Sequence, residues 1–310
     1  MSISYKHIWV TKTLYQAGER GLSLQEINQK WLKTDFSGGE PISRQSFDRW
    51  KGQILDLLGV IIDCRRKGGY RYYISNPEVL QRGHLNRWLL DTYSTLNTLS
   101  QNIALKDRIL TEEIPSSRYF LQDILEAMQE SRIIEITYKN FHYRHSYTFP
   151  VAPYCIKMFQ KRWYMLALSI KDNILRIYSL DRITDLEFTD QNFTLPDDFH
   201  AQSYFSSYFG IVHDEKVQIQ RIVIRADKNH QHYLRTLPLH DSQKEIFTCE
   251  EYADFELYLR PTYDFCMELL RPGAMIRVLE PESLRQRMKT LAQEILDLYH
   301  ESPKNTVKNP

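Results

Sequence analysis

Apolar residues along the first 75 positions recur every three or four places, and the runs are separated by glycine, proline and serine. Ile8, Trp9, Leu14 and Tyr15 predict a helix over residues 7–17 that stops before Gly18 and Gly21. Ser23 is placed to cap a short second helix whose Leu24, Ile27 and Trp31 share one side. A breaker-rich loop over 33–41 precedes Ser43, which caps a third helix over 44–58 with Phe47, Trp50, Ile54, Leu57 and Leu58 as its apolar stripe. Helical spacing puts Gln45, Asp48, Arg49 and Gly52 opposite that stripe, flanked by Arg44 and Lys51. Residues 60–74 then read as a hairpin of two short β-prone runs with Arg65, Arg66, Lys67, Gly68 and Gly69 at its tip.

Over residues 76–130 the helical period continues, with Leu85, Trp88, Leu89, Tyr93, Leu96 and Leu99 in one stripe and a break at Pro115, Ser116 and Ser117 before a helix over 119–130. Such a stripe can pack within the subunit or pair with its copy. From Arg132 the period falls to two. Strands are expected over 134–138, 163–170 and 174–180, with one or two more over 147–156, close enough in sequence for a small, strongly bent barrel. Beyond it a strand over 217–224, a helix over 229–237, one or two strands over 247–259, a helix over 263–270, a strand over 274–279 and a helix opened by Pro281 predict a ferredoxin-like α+β unit. The expected fold is therefore multidomain α+β. Its parts are a winged helix-turn-helix (1–75), a helical connector (76–130), a β-barrel (131–210) and a C-terminal α+β domain (211–302).

The formal net charge of +1 conceals an uneven distribution, because residues 1–75 carry 12 Lys and Arg against 7 Asp and Glu. Local positive charge of this kind suits phosphate neutralisation. Three helices and a basic hairpin would place the N-terminal residues of the third helix in the DNA major groove and the hairpin tip on phosphates or in the neighbouring minor groove. Four cysteines lie far apart with no metal-ligand spacing, so neither a disulfide framework nor a zinc site is expected. No apolar run approaches the roughly 20 residues that span a bilayer, and the first residues lack a signal-peptide pattern, which predicts a cytoplasmic protein with no membrane partner.

Candidate chemistry centres on residues 160–183. Alternation along the strand from Ile174 sends Arg176, Tyr178, Leu180 and, if the strand continues, Arg182 to one face. Unpaired guanidiniums are costly inside a tight barrel, so this face should line a cleft or meet a carboxylate or phosphate. For Arg182, an ion pair with Asp181 or Asp185 is the competing assignment, and Trp163 reads as core.

Three stretches carry a resemblance. Ile42-Ser43-Arg44-Gln45-Ser46-Phe47-Asp48-Arg49-Trp50 resembles the third helix in the N-terminal head of bacterial WYL-family transcription regulators, with Trp50 where an acidic residue is usual. Arg162-Trp163-Tyr164-Met165, followed by Arg176-Ile-Tyr-Ser-Leu-Asp-Arg-Ile183, resembles that family's signature, with Met for Leu and Tyr178 for Phe. Residues 217–299 resemble the extension that often follows a WYL domain. The resemblance implies an Sm-like WYL barrel that senses a nucleotide or oligonucleotide, followed by a WCX-type extension with a role in dimer contact or relay. It also implies a pocket of Tyr154, Tyr164, Arg176, Tyr178 and Arg182, to which local chemistry adds Arg144, His145 and Lys157. On the head, the expected DNA contacts are Ser43, Arg44, Gln45, Ser46, Arg49, Lys51, Arg65, Arg66 and Lys67.

No catalytic motif with meaningful spacing is present: there is no nucleophile elbow, phosphate loop, dinucleotide fingerprint or zinc-protease helix. The pairs His142/His145 and His230/His232 lack metal-ligand neighbours, and Asp197-Asp198 and Glu250-Glu251 read as solvated loop charge. The expectation is a non-enzymatic, cofactor-free homodimeric repressor bound to a palindromic DNA operator and released or engaged by its effector. By resemblance its targets are phage-defence or DNA-damage genes. The rival readings are a nucleic-acid-sensing accessory protein that modulates a partner enzyme, and a nucleotide hydrolase.

Overall fold

A computed structural model describes residues 4–67, 69–81, 85–101, 108, 110, 120–139 and 145–300, with the side chains of residues 35, 97, 98, 100 and 101 left aside. The chain forms two compact units, residues 1–112 and 113–310, and is mixed α+β with several antiparallel sheets.

In the first unit, helix α1 (Tyr5–Ala17) is followed by strand β1 (Leu22–Ser23), α2 (Leu24–Trp31), α3 (Arg44–Leu58), the strands β2 (Ile62–Arg65) and β3 (Arg71–Ile74), and α4 (Leu85–Gln101). Ser23 closes a capping box on α2, accepting from the Glu26 N–H at 3.2 Å while its own N–H donates to Glu26 Oε2 at 2.7 Å. Ser43 caps α3 by accepting from the Ser46 N–H at 3.1 Å, an interaction typically worth about 1 kcal/mol. The loop entering α3 is fixed by Asn28, which donates to the Ile42 carbonyl and accepts the Ile42 N–H at 2.7 Å. Ile8, Leu14, Ile27, Phe47, Ile54 and Leu58 are buried together in the core.

Trp50 is turned inward, and its ring meets Trp31 edge-on at 5.9 Å, while Trp31 meets Trp9 at 5.1 Å. The Lys6 ammonium lies 5.4 Å from the Trp50 ring centroid, so tryptophan at that position both packs in the core and takes a cation on its face.

The hairpin forms with Ile62 opposite Ile74 and Arg65 opposite Arg71. Periodicity gave no sign of β1, which adds to β3 as a third strand in the order β1-β3-β2. That addition needs Gly21, because a Cβ there would sit 2.6 Å from the Tyr72 carbonyl oxygen and φ is +62°. The expected apolar stripe of α4 divides differently: Leu90 is buried in the core, whereas Leu85, Trp88, Tyr93 and Leu96 are exposed.

The second unit opens with α5 (Leu121–Glu130), then β4 (Arg132–Lys139), β5 (Ser146–Phe159), β6 (Arg162–Ser169), β7 (Ile174–Ser179) and β8 (Ile183–Asn192). The break expected at residues 115–117 lies outside the described residues. These five strands form one antiparallel sheet in the order β7-β6-β5-β4-β8. Alternate residues build two apolar clusters on its opposite faces. Ile134, Ile136, Val151, Met165, Ala167 and Tyr178 pack with Ile124 and Ala127 of α5 on one face. Ile133, Ala152 and Tyr154 pack with Leu168, Leu175, Phe193 and Phe199 on the other. A bulge at Tyr154, where Pro153 pairs with Ala167 and Cys155 with Leu166, bends the long β5.

After the short α6 (Ala201–Phe205) come β9 (Gln220–Asp227), α7 (His230–Thr236), β10 (Lys244–Thr248), β11 (Tyr252–Leu259), α8 (Tyr263–Leu270), β12 (Ile276–Glu280) and α9 (Glu282–His300). Strands β9 to β12 form a second antiparallel sheet in the order β10-β11-β9-β12, connected as strand-helix-strand-strand-helix-strand. Ile222, Ile224, Phe255, Leu257, Phe265 and Leu284 make its core. No described helix is long and apolar enough to cross a membrane.

Candidate nucleic-acid face and ligand cavity

The outer face of α3 carries exposed Arg44, Gln45 and Arg49, and among the described residues neither arginine forms an ion pair. Ser43 and Ser46 are committed first to the cap, with their hydroxyls 3.0 Å apart. Lys51 departs from its expected place. Its ammonium lies 2.9 Å from Asp48 and 5.3 Å from the Tyr72 ring centroid, so it leans across the helix and is partly neutralised. Arg65 stacks on Tyr73 at 5.2 Å, and Arg66 and Lys67 are exposed at the hairpin tip, where Gly68 lies outside the described residues.

In the second unit, a cavity of about 570 Å³ opens at the ends of β4, β5 and β7. Its lining brings Arg176, Tyr178 and Arg182 together, joined by Tyr138, Tyr147, Phe149, Lys171 and Asp172. The arrangement differs from the one alternation predicts. Strand β7 ends at Ser179, and residues Leu180–Arg182 form a 3₁₀ turn. Leu180 is therefore buried in the core instead of lining the cleft, and Arg182 reaches the cavity from the turn.

Both arginines are positioned. Arg176 donates to Asp172 Oδ1 at 2.8 Å, and this bond holds the Asp172 carboxyl down at about 2 and raises the Arg176 pKa. Arg182 Nε donates to the Lys139 carbonyl at 2.9 Å while its guanidinium lies over the Tyr138 ring at 4.7 Å. Asp181, one expected partner of Arg182, pairs with Arg162 at 3.1 Å, and Asp185 accepts the Leu186 N–H at 3.0 Å. Tyr178 is only 6% exposed, edge-on to Tyr138 at 5.3 Å and tilted against Phe149 at 5.7 Å. Burial raises the pKa of Tyr138 and of Tyr178, so both hydroxyls stay protonated and can donate. Among the described lining residues, Lys171, Arg176 and Arg182 outnumber one carboxylate, Asp172, and give the lining a net positive charge.

Four other expected pocket residues lie elsewhere. Tyr164 pairs across from Ser179 while Tyr178 pairs with Met165, so the two tyrosines take opposite faces of the sheet. Tyr154 is also on the opposite face. Lys157 is drawn down against the chain beyond β8, donating to the Gly210 carbonyl at 2.6 Å with its ammonium 4.2 Å from the Phe205 ring centroid. Burial lowers its pKa to about 8. His145 is exposed just before β5, and Arg144 lies outside the described residues. Sequence reasoning missed Tyr138, Tyr147, Phe149 and Lys171. The first three alternate within β4 and β5, so period two could have placed Tyr138 and Phe149 beside Tyr178 had the strand register been known.

All four cysteines are free thiols. Among the described residues no group of three or more His, Cys, Asp or Glu is arranged to hold a metal ion.

Residues 119–188 match the WYL domain and residues 218–296 the WCX domain. Comparison with curated proteins finds no match. Among solved structures, the proteasome accessory factor B/C (PafBC) of Arthrobacter aurescens is 16% identical with a TM-score of 0.35, aligning 98% of this chain with 49% of its own. The chain thus spans about half the length of that protein. A CRISPR Cas-related protein is 14% identical with a TM-score of 0.39, over 97% of this chain and 87% of its own.

Proposed function

We propose that this chain, a member of the WYL-domain regulator family, is a ligand-responsive DNA-binding transcription regulator acting as a homodimeric repressor in the cytoplasm. The observation that carries the reading is the cavity in which Lys171, Arg176 and Arg182 converge beside Tyr138 and Tyr178. Guanidiniums held beside rings suit a phosphate with a stackable base, so the effector class is a nucleotide or short oligonucleotide. We read the five-stranded sheet as an Sm-like barrel, the C-terminal unit as ferredoxin-like, and the first unit as a winged helix-turn-helix. The exposed Arg44, Gln45 and Arg49 of α3 would then enter the major groove, and Arg66 and Lys67 would meet phosphates.

Exposed Leu85, Trp88, Tyr93 and Leu96 on α4 support pairing of two copies there, which would set two α3 helices on the half-sites of a palindromic operator. The effector would act by binding the DNA-competent and DNA-incompetent arrangements with different affinity. No catalytic step is required. By family, phage-defence or DNA-damage genes are the targets.

The test is a gel-shift titration of DNA from immediately upstream of the chain's own gene, at two salt concentrations, with and without short phosphorylated oligonucleotides. Arg49→Ala and Arg66→Ala should each weaken DNA binding, and Arg66→Ala should also flatten its salt dependence. Arg176→Ala should leave basal DNA binding in place and abolish the effector response. Equal loss in all three variants contradicts the reading.

A further inference from the structure

The face of the five-stranded sheet that carries Tyr154 holds a second cavity, of about 730 Å³. Its walls include the rings of Tyr154, Phe199, Tyr204 and His213. Most of these walls come from residues 189–217, the stretch between the WYL-matched and WCX-matched segments. The rings are fixed by one another. Tyr204 lies parallel to His213 at 4.5 Å, Tyr208 backs the same imidazole at 4.2 Å, and Tyr154 meets Phe199 edge-on at 5.1 Å.

The charge here is opposite to that of the first cavity. Among the described lining residues, Asp198, Asp214 and Glu215 outnumber one amine, Lys216, and they still outnumber the cations when the Arg260 guanidinium, which donates to the Glu215 carbonyl at 3.2 Å, is counted. All four charged lining residues are exposed, and among the described residues none of the three carboxylates forms an ion pair. Burial lowers the His213 pKa, so that ring adds no positive charge at neutral pH. A net negative margin around aromatic walls repels phosphates and attracts cations, and aromatic faces bind alkylammonium groups through their quadrupoles. The volume falls within the usual range of about 300–1,000 Å³ for small-molecule sites.

We propose that this cavity binds a small organic cation, an ammonium whose alkyl body rests on the rings of Phe199 and Tyr204 and whose charge is met by Glu215 and Asp214. Such binding would not depend on whether the chain binds DNA. The probe is choline, with 3,3-dimethylbutan-1-ol as its uncharged isostere, titrated calorimetrically into the full chain. Choline should bind with a Kd of about 1 mM or tighter, and the isostere at least about tenfold more weakly.

Because Asp214 and Glu215 are exposed, the double variant Asp214→Asn, Glu215→Gln should remain folded while weakening choline about three- to tenfold and leaving the isostere unchanged. Phe199→Leu should weaken both probes, and Arg176→Ala neither. Absence of choline binding at about 10 mM, equal affinity for the two probes, or indifference to the double carboxamide variant would each overturn the proposal.

Discussion

The outer face of α3 and the cavity beside β7 both gather positive charge, yet they hold it in different ways. On α3, Arg44 and Arg49 project into solvent without ion-pair partners among the described residues. In the cavity, Arg176 is pinned to Asp172 and Arg182 is clamped between the Lys139 carbonyl and the Tyr138 ring. A free, long side chain loses rotamer entropy when it binds, which is tolerable where many phosphates are met at once and orientation matters little. A pre-positioned guanidinium has already lost that freedom, and it presents a fixed shape to one small ligand. The same residue type thus suits an extended polyanion in one region and a discrete anion in the other.

The contrast breaks most readily at α3. Replacing Arg49 and Arg66 together with alanine should lower duplex affinity about a hundredfold at low salt and reduce the salt slope by about one, since Arg66 is the one of the two set on a phosphate and each phosphate contact contributes about 0.9. A gel-shift series at several salt concentrations measures both. Arg182→Ala should come next, weakening oligonucleotide binding about tenfold with little change in duplex affinity. Arg182→Lys should not restore it, because an ammonium lacks the planar face set over Tyr138.

Much of this was legible in the sequence because local periodicity dictates it. The helix expected over 263–270 is α8 to the residue, and the stripe of α3 fell where helical spacing placed it because Phe47, Trp50, Ile54 and Leu58 had a core to fill. The pocket was only half legible. Arg176 and Tyr178 sit on one strand and keep their alternation, whereas Leu180 lies beyond the end of β7, in a turn that period-two reasoning does not foresee. Tyr154 and Tyr164 were separated from Tyr178 by strand register and by the β5 bulge, both of which depend on pairing with distant residues. Asp198, read as loop charge, lines the aromatic cavity because residues 193–216 return to the sheet, a long-range packing event that leaves no periodic trace.

A smaller effect sharpens the electrostatic side of the contrast. Asp172→Asn removes the one carboxylate among the described residues that line the net-positive cavity and should raise affinity for an anionic oligonucleotide about threefold. In the wild type, the same affinity should stay flat from pH 8 to 5 as far as Asp172 governs it, because a carboxyl held at about 2 remains ionised throughout. Its stabilising pair with Arg176 is complete above the unfolded carboxyl pKa and is lost only as pH falls toward 2.

An effect on stability instead of binding concerns Lys157. Burial lowers its pKa from 10.5 to about 8, so between those values the unfolded chain binds more protons than the folded one and stability rises with pH. Relative to Lys157→Met, the wild type should gain at most about 3 kcal/mol across that window in chemical denaturation. Both cavities should keep their ligands in the variant.

The most direct measurement is gel-shift affinity of the upstream DNA for the wild type, Arg49→Ala and Arg176→Ala, each with and without a short phosphorylated oligonucleotide. The account predicts that Arg49→Ala loses DNA while Arg176→Ala keeps DNA and loses only the oligonucleotide response. If Arg176→Ala loses DNA binding as severely as Arg49→Ala, or if the oligonucleotide leaves wild-type DNA binding unchanged, the cavity is not a sensor and the account is contradicted.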